Sequence, residues 1–278
     1  MTAIITAELV RSLRERTGSP MMECKRALEA TGGDIEKALA ELRKSGRMKA
    51  DAKAERVAKE GVIIVVQDGK RAMMIEVNSE TDFVARDSAF ADFVKTLSAT
   101  AWQLNVKSVD ALSPLPFQNP VAMSVEEARL GLIAQVGENI QIRRLVNCQV
   151  ENGIVGTYLH GQRIGVIVAL NVDDQALARD IAMHIAASKP VVISPEDVPA
   201  ALLEKEKEIY QAQAASSGKP KEIVEKMVQG RVKKYLDEVS LLGQPFVKDP
   251  NQTVGNLLAQ RHAKVLAFYR YAIGEEAA

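Results

Sequence analysis

One plan is written twice along this chain, and that repetition limits the fold more than any other feature of the sequence. Gly61 and Gly69 stand eight residues apart, as do Gly153 and Gly161, and each second glycine is followed by x-Arg: Lys70-Arg71 in one copy, Gln162-Arg163 in the other. In the first copy the apolar run VIIVV, a turn at Gln67-Asp68-Gly69 and the run AMMIEV predict a β-hairpin. The second copy turns at Leu159-His160-Gly161 and likewise continues as an apolar strand. With one inserted residue allowed, Val84-Ala85-Arg86-Asp87 matches Leu177-Ala178-Arg179-Asp180, each expected to begin a helix. The first of these helices carries Phe90, Phe93, Val94, Leu97 and Ala101 on one side. Two hairpin-plus-helix units predict an α+β core made of two pseudo-equivalent subdomains.

Three short helices precede the first copy. Thr6 can cap the first, in which Leu9, Val10 and Leu13 recur at helical spacing before Gly18 stops it. Ser19 and Pro20 suit the N-cap and first position of a second helix running through Met22, Ala27 and Leu28 to Gly32-Gly33. Asp34 opens the third, whose stripe is Ile35, Ala38, Leu39 and Leu42, and Gly46 is read as its end. The charged, Ala-rich stretch RMKADAKAERVAKE over 47–60 predicts a solvated helical linker.

Between the copies, Ser113 to Pro120 reads as a Pro-rich loop. Ser124 and Glu127 have capping-box spacing ahead of a helix ending at Gly137, and ENIQIRRLVNCQV reads as strand. After the second copy, Ser194-Pro195-Glu196-Asp197 is expected to start a long helix. A turn at Ser217-Gly218-Lys219-Pro220 would join it to another carrying Ile223, Val224, Met227, Val228, Val232, Tyr235 and Val239, an antiparallel helical hairpin. That hairpin is either a dimer surface or a solvated arm, and a homodimer stays open on the sequence. A short helix near Val254 to Gln260 and a final strand over Val265 to Ile273 return the chain to its core.

Composition removes several function classes. The 36 basic residues equal the 36 acidic ones, so the chain lacks the positive excess that phosphate neutralisation requires, and at 4% aromatic it is poor material for stacking on single strands. No direct nucleic-acid partner is expected. No run approaches the length of a membrane span, and MTAIITAEL lacks the basic start and long apolar run of a signal peptide, so no membrane partner and a cytoplasmic location are expected. Cys24 and Cys148 are 124 positions apart, with no CxxC and no histidine at ligand spacing, and read as two reduced, buried thiols. Walker A, GxSxG, HExxH and GxGxxG signatures are all missing, and neither cofactor nor metal is indicated.

Three histidines leave little room for histidine chemistry. His184, in the apolar stretch IAMHIAA, reads as a packed residue rather than a base, and His262 as solvated. His160 sits at an expected hairpin turn, where a binding role and a neutral turn role weigh equally. The segment NSETDFVARD, Asn78 to Asp87, carries two readings. Locally, Ser79 and Asp82 have capping-box spacing, acids suit a helix start, and Phe83 lies seven residues before Phe90 on one stripe. The repeat is a control: Gln175-Ala176 occupies the equivalent place in the second copy, so the architecture does not itself demand an acid beside a large aromatic. Such a pair at a loop–helix junction suits entry into another protein's pocket. Glu76, Glu80 and Asp82 could supply carboxylates for acid–base work, yet no histidine, metal set or Gly-rich cradle accompanies them, and catalysis is the weaker reading.

Taken in order, LRERTGSPMMECKRALEATGGDIEKALAELRKSG, EVNSETDFVARD, GENIQIRR, HGQRIGV, HIAASKP, SGKPKEIVEKMVQGR and LLGQPFVKD resemble the blocks of bacterial elongation factor Ts, the guanine-nucleotide exchange factor of elongation factor Tu. The likeness covers nearly the whole chain. It implies a UBA-like three-helix domain over 1–46, a helical linker over 47–60, core subdomains over 61–150 and 151–198, an inserted helical hairpin (coiled coil) over 199–239, and a return to the core over 240–278. It implies that Thr81, Asp82, Phe83 and Val84 enter the nucleotide-binding domain of Tu near its magnesium site, displacing the ion. Lys25 would be a second contact to that domain, and Val136, Gly137 and His160 core contacts that include Tu domain 3. The partner would be Tu, GDP-bound and nucleotide-free, and the activity exchange without covalent chemistry. Some members carry a further C-terminal helix; this sequence runs four residues past Gly274, so that helix's role does not transfer. A scaffold or chaperone adaptor built on the three-helix module and the hairpin is the competing reading, and a carboxylate hydrolase the third.

Overall fold

The computed structural model describes residues 5–117, 123–215 and 220–275. Thr6 caps α1 (Ala7–Thr17) by accepting from the Leu9 amide, and Gly18 closes it at φ 67°. The second helix, α2 (Met21–Ala30), starts after Pro20 with no side-chain cap. Ser19 is buried instead, its amide donating to Thr17 Oγ1 and its carbonyl accepting the Cys24 thiol. Met22, expected on the apolar stripe, is exposed, and Cys24 and Leu28 take the inward positions. Helix α3 (Ile35–Asp51) opens on Asp34, which accepts from the Glu36 and Lys37 amides. The linker is helical only over 47–51; turns follow over 52–55, and Ala50 and Ala58 are buried rather than solvated.

The core begins with the expected hairpin, β1 (Glu60–Gln67) and β2 (Arg71–Ser79), in register from Glu60↔Ser79 to Gln67↔Ala72. Next come α4 (Asp82–Ala85), α5 (Ser88–Gln103), α6 (Val109–Leu112), the two-residue strands β3 (Pro116–Phe117) and β4 (Met123–Ser124), α7 (Val125–Val136) and β5 (Gln141–Gln149). The Ser124–Glu127 capping box forms at α7, and Gly137 closes that helix at φ 81°. Within the loop read over 113–120, residues 113–117 run from Ser113, the C-cap of α6, through β3; the rest lies outside the described residues. Gly46, expected to end α3, lies inside it and is buried against α7, where a Cβ would stand 3.8 Å from Leu130 O and Ala134 Cβ. Helix contact, not chain reversal, accounts for that glycine.

The second copy supplies β6 (Ile154–His160), β7 (Ile164–Leu170) and α8 (Gln175–Ser188). Ser194 and Asp197 close only a 3-10 turn over Pro195–Asp197. Val198 is extended ahead of Pro199, and the residue before a proline is disfavoured in helix, so α9 (Ala200–Ala215) begins later than expected. It pairs with α10 (Lys221–Val239) as the helical hairpin; of the turn read at 217–220, only Pro220 is among the described residues, and it is the N-cap of α10. The short strands β8 (Pro245–Phe246) and β9 (Asp249–Thr253), α11 (Val254–Gln260) and β10 (Val265–Ala272) complete the chain.

The elements make an α+β fold with two three-stranded antiparallel sheets, ordered β1-β2-β5 and β10-β7-β6. Strand alternation sorts their side chains into layers. Met73, Ile75 and Val77 of β2 meet Phe90, Phe93 and Leu97 of α5 on one side, while Ala72 and Met74 face the other sheet. In β7, Val166, Val168 and Leu170 face α8, and Ile167 and Ala169 face inward. The sheets approach so closely at Gly165 that a Cβ would lie 2.6 Å from Ile63 Cγ2 and Met74 Sδ.

The repeat is structural. Gly61 (φ 135°) and Gly153 (φ 93°) occupy equivalent places, where a Cβ would fall 2.1 Å from Val77 O and 1.9 Å from Leu170 O. Each hairpin's turn also bonds to the first strand of the other: Ile63 N–H donates to Gln162 O and Val155 N–H to Gly69 O, both at 2.8 Å. The helix alignment needs correction. Asp87 caps α5 and Asp174 caps α8, placing Phe90 and Leu177 at equivalent buried positions. Val84 to Asp87 therefore ends α4 and opens α5, whereas Leu177 to Asp180 lies inside α8. Eight residues separate Asn78 from Asp87 and two separate Asn171 from Asp174, so the first copy carries six more. The Thr81–Val84 segment is an insertion with no counterpart in the second copy, not the equivalent of Gln175-Ala176.

Candidate partner-binding site

The inserted segment departs from the helical-stripe reading. Its N-cap is Thr81, not Ser79: Thr81 Oγ1 accepts from the Val84 amide at 3.5 Å, and the Ser79 hydroxyl donates to Thr81 O. Helix α4 ends at Ala85, and Asp87 caps α5 anew, which breaks the stripe between Phe83 and Phe90. Phe90 is fully buried, whereas Phe83 is 81% exposed, the highest value among the exposed large hydrophobic side chains described. Asp82 pairs with Arg86 at 2.9 Å and remains accessible, and Val84 packs at the margin of the core under α5. An apolar ring held out to solvent beside an acid is a ready anchor for another protein.

Glu138 brings the Val136–Gly137 corner against this segment. Its carboxylate accepts from Thr81 N–H at 3.0 Å and from the Thr81 hydroxyl at 2.6 Å, and the Asn139 amide donates back to Glu80 at 2.7 Å. Gly137 is exposed and Val136 half-buried. His160 joins the group at one remove. It is exposed at the end of β6 beside Tyr158, whose hydroxyl lies 3.3 Å from Nδ1, and its carbonyl accepts from Arg163 N–H. Arg163 in turn pairs with Glu60 at 2.6 Å; that carboxylate first, and Asp82 in addition, push the guanidinium pKa up. Lys25 is not part of this cluster: it lies on α2, half-exposed, 3.8 Å from Glu29.

The three acids considered for acid–base work point different ways. Glu76 is buried against Arg144, Glu80 faces the Asn139 amide, and Asp82 faces Arg86. Among the described residues, no three metal-ligating side chains gather. His184 is fully buried in α8: Nδ1 accepts from Val247 N–H, leaving Nε2 to donate to Gln244 Oε1 at 2.9 Å, and burial pushes its pKa down. It is a packed residue, as expected, and His262 is exposed. Both cysteines are free and buried. Sequence reading missed Glu138 and Asn139; no local signal marks them, because their partners lie 57 and 59 positions away.

Residues 80–275 match the family model described as Elongation factor TS. Over 273 residues, 98% of this chain and 92% of the relative, the sequence is 53% identical to Elongation factor Ts of Legionella pneumophila strain Philadelphia 1. The chain belongs to the elongation factor Ts family. It is also 54% identical to Elongation factor Ts of Thioalkalivibrio sulfidiphilus over 274 residues, and 52% identical to that of Francisella tularensis subsp. novicida over 271, in each case covering 98% of this chain and 92% of the relative. In an elongation factor Ts the task is translation elongation through nucleotide exchange on elongation factor Tu, and the cluster around Phe83 presents the most exposed large apolar side chain among the described residues. No helix among the described residues is long and apolar enough to cross a membrane.

Proposed function

We propose that this chain binds GDP-loaded elongation factor Tu, places Asp82 and Phe83 beside the nucleotide's magnesium site, and so speeds GDP release in the cytoplasm with no covalent chemistry of its own. The observation that carries this reading is Phe83, a large apolar ring 81% exposed on an insertion absent from the second repeat. Magnesium neutralises phosphate charge, so displacing its ligands weakens the hold on GDP. Burying the Phe83 ring in the partner is worth about 1.5–3 kcal/mol, roughly 10- to 150-fold. The wider interface, with Val84, Val136, Gly137, His160 and Lys25, supplies the rest. Reciprocity follows: if the factor weakens GDP binding, GDP weakens the factor's binding by the same ratio, and incoming nucleotide ejects it from the nucleotide-free complex.

The same reading assigns 1–46 to a UBA-like domain, 47–60 to the linker, 61–150 and 151–198 to the core subdomains, 199–239 to the hairpin and 240–278 to the return, with α3 running across the first boundary. Stopped-flow release of fluorescent GDP from elongation factor Tu tests the function. Wild-type chain should accelerate release, and Phe83→Ala should lower that acceleration at least tenfold without lowering thermal stability, because the ring packs against little in the free chain. Binding without acceleration would return the chain to the scaffold reading.

A further inference from the structure

We propose that Glu138 is a positioning residue for exchange: it clamps Thr81 so that α4 presents Asp82 and Phe83 in one pose. Helix α4 spans four residues and buries none of them. So short a helix has no stability of its own, and the exposed Phe83 ring takes its direction from the backbone beneath it. That backbone is fixed from outside. The Thr81 hydroxyl has one proton, and giving it to Glu138 Oε1 at 2.6 Å turns an oxygen lone pair toward the Val84 amide, the bond that caps α4. Glu138 Oε2 accepts the Thr81 amide at 3.0 Å, so one carboxylate sets both the main chain and the cap.

The clamp is closed from both sides. Glu80 accepts from Asn139 N–H at 2.7 Å, so that Glu80-Thr81 and Glu138-Asn139 exchange carboxylate-to-amide bonds. The Asn139 side chain, 1% exposed as a residue, donates to Ala54 O and Arg56 O at 3.3 and 2.8 Å. The linker leaving α3 is thereby tied to the same ring of bonds.

This inference rests on Phe83 being the wedge, and the experiment separates the two. Full-length wild type, Glu138→Ala, Glu138→Gln, Phe83→Ala and the Glu138→Ala/Phe83→Ala double variant are assayed for GDP release from elongation factor Tu over a range of factor concentration. Glu138→Ala should lower the maximal stimulated rate about tenfold with a smaller change in the half-saturating concentration, and should speed amide hydrogen exchange over residues 81–85. Glu138→Gln, which can accept from Thr81 N–H and donate to Oγ1, should recover most of the rate. In the Phe83→Ala background Glu138→Ala should cost little more. An equal further loss there would overturn the positioning role, as would unchanged release and amide exchange in Glu138→Ala. If Phe83→Ala alone leaves release unchanged, the wedge reading fails, and the amide-exchange arm still decides whether Glu138 holds the loop.

Discussion

Glu76→Gln should destabilise this chain more than any substitution in the Phe83 cluster. Glu76 is fully buried between the sheets; Oε2 accepts from Arg144 Nε at 2.6 Å, and Oε1 lies 3.1 Å from Asn78 Nδ2 and 3.6 Å from Arg143 Nη1. Arg144 is 18% exposed, its guanidinium 4.0 Å above the Tyr271 ring, with only a long 3.5 Å bond to Ala272 O as a further partner. Removing the carboxylate leaves that largely buried cation without its charge partner, which costs about 3–5 kcal/mol. Gln keeps an acceptor for one guanidinium N–H, so about 3 kcal/mol is expected for it, and Arg143, being more exposed, adds little. Glu76→Met and Arg144→Met should each lie in the full range singly. Their double variant should recover much of the loss, because it leaves no orphaned charge. Urea denaturation followed by far-UV circular dichroism, with the slope checked for constancy, measures all of these. Singles within 1 kcal/mol of wild type, or a double equal to their sum, would refute the reasoning.

Two further outcomes follow from packing and titration. Gly46→Ala should be neutral or stabilising by up to about 1 kcal/mol in thermal unfolding, since its Cβ would make ordinary 3.8 Å contacts in a helix; a loss would restore Gly46 as a helix end. Burial pushes the His184 pKa below its ordinary value, so at acid pH the unfolded chain takes up a proton that the folded one refuses. That contribution is complete above about pH 6.5 and is lost as pH falls from there toward the folded pKa. Denaturation at about pH 7.5 and about 5.5 should therefore show a smaller pH-dependent loss for His184→Gln than for wild type, and equal losses would contradict the assignment.

What was legible in the sequence was what neighbours along the chain decide. Thr6, Asp34, Ser124 and Gly137 mark helix ends because their partners lie within one turn. Where the same signals met tertiary packing they misled. Ser19 is buried beside Cys24, Gly46 makes room for α7, and the Ser194 box closes a turn that Pro199 prevents from growing. Phe83 and Phe90 share a spacing but not a helix, and only the doubled cap at Thr81 and Asp87 separates them. Glu76 looked available for chemistry because its partner Arg144 stands on another strand, 68 positions later. Glu138 was invisible for the same reason, since pairing over such distances is decided by the fold.

The crossed bonds at the two hairpin turns bear on how the core could be divided. Ile63 N–H needs Gln162, and Val155 N–H needs Gly69, so neither half possesses a complete set of backbone partners. A chain cut between Val150 and Gly153 would give two fragments, each turning to water a backbone donor that the other satisfies in the intact chain. In effect the core is a dimer whose subunits are joined end to end.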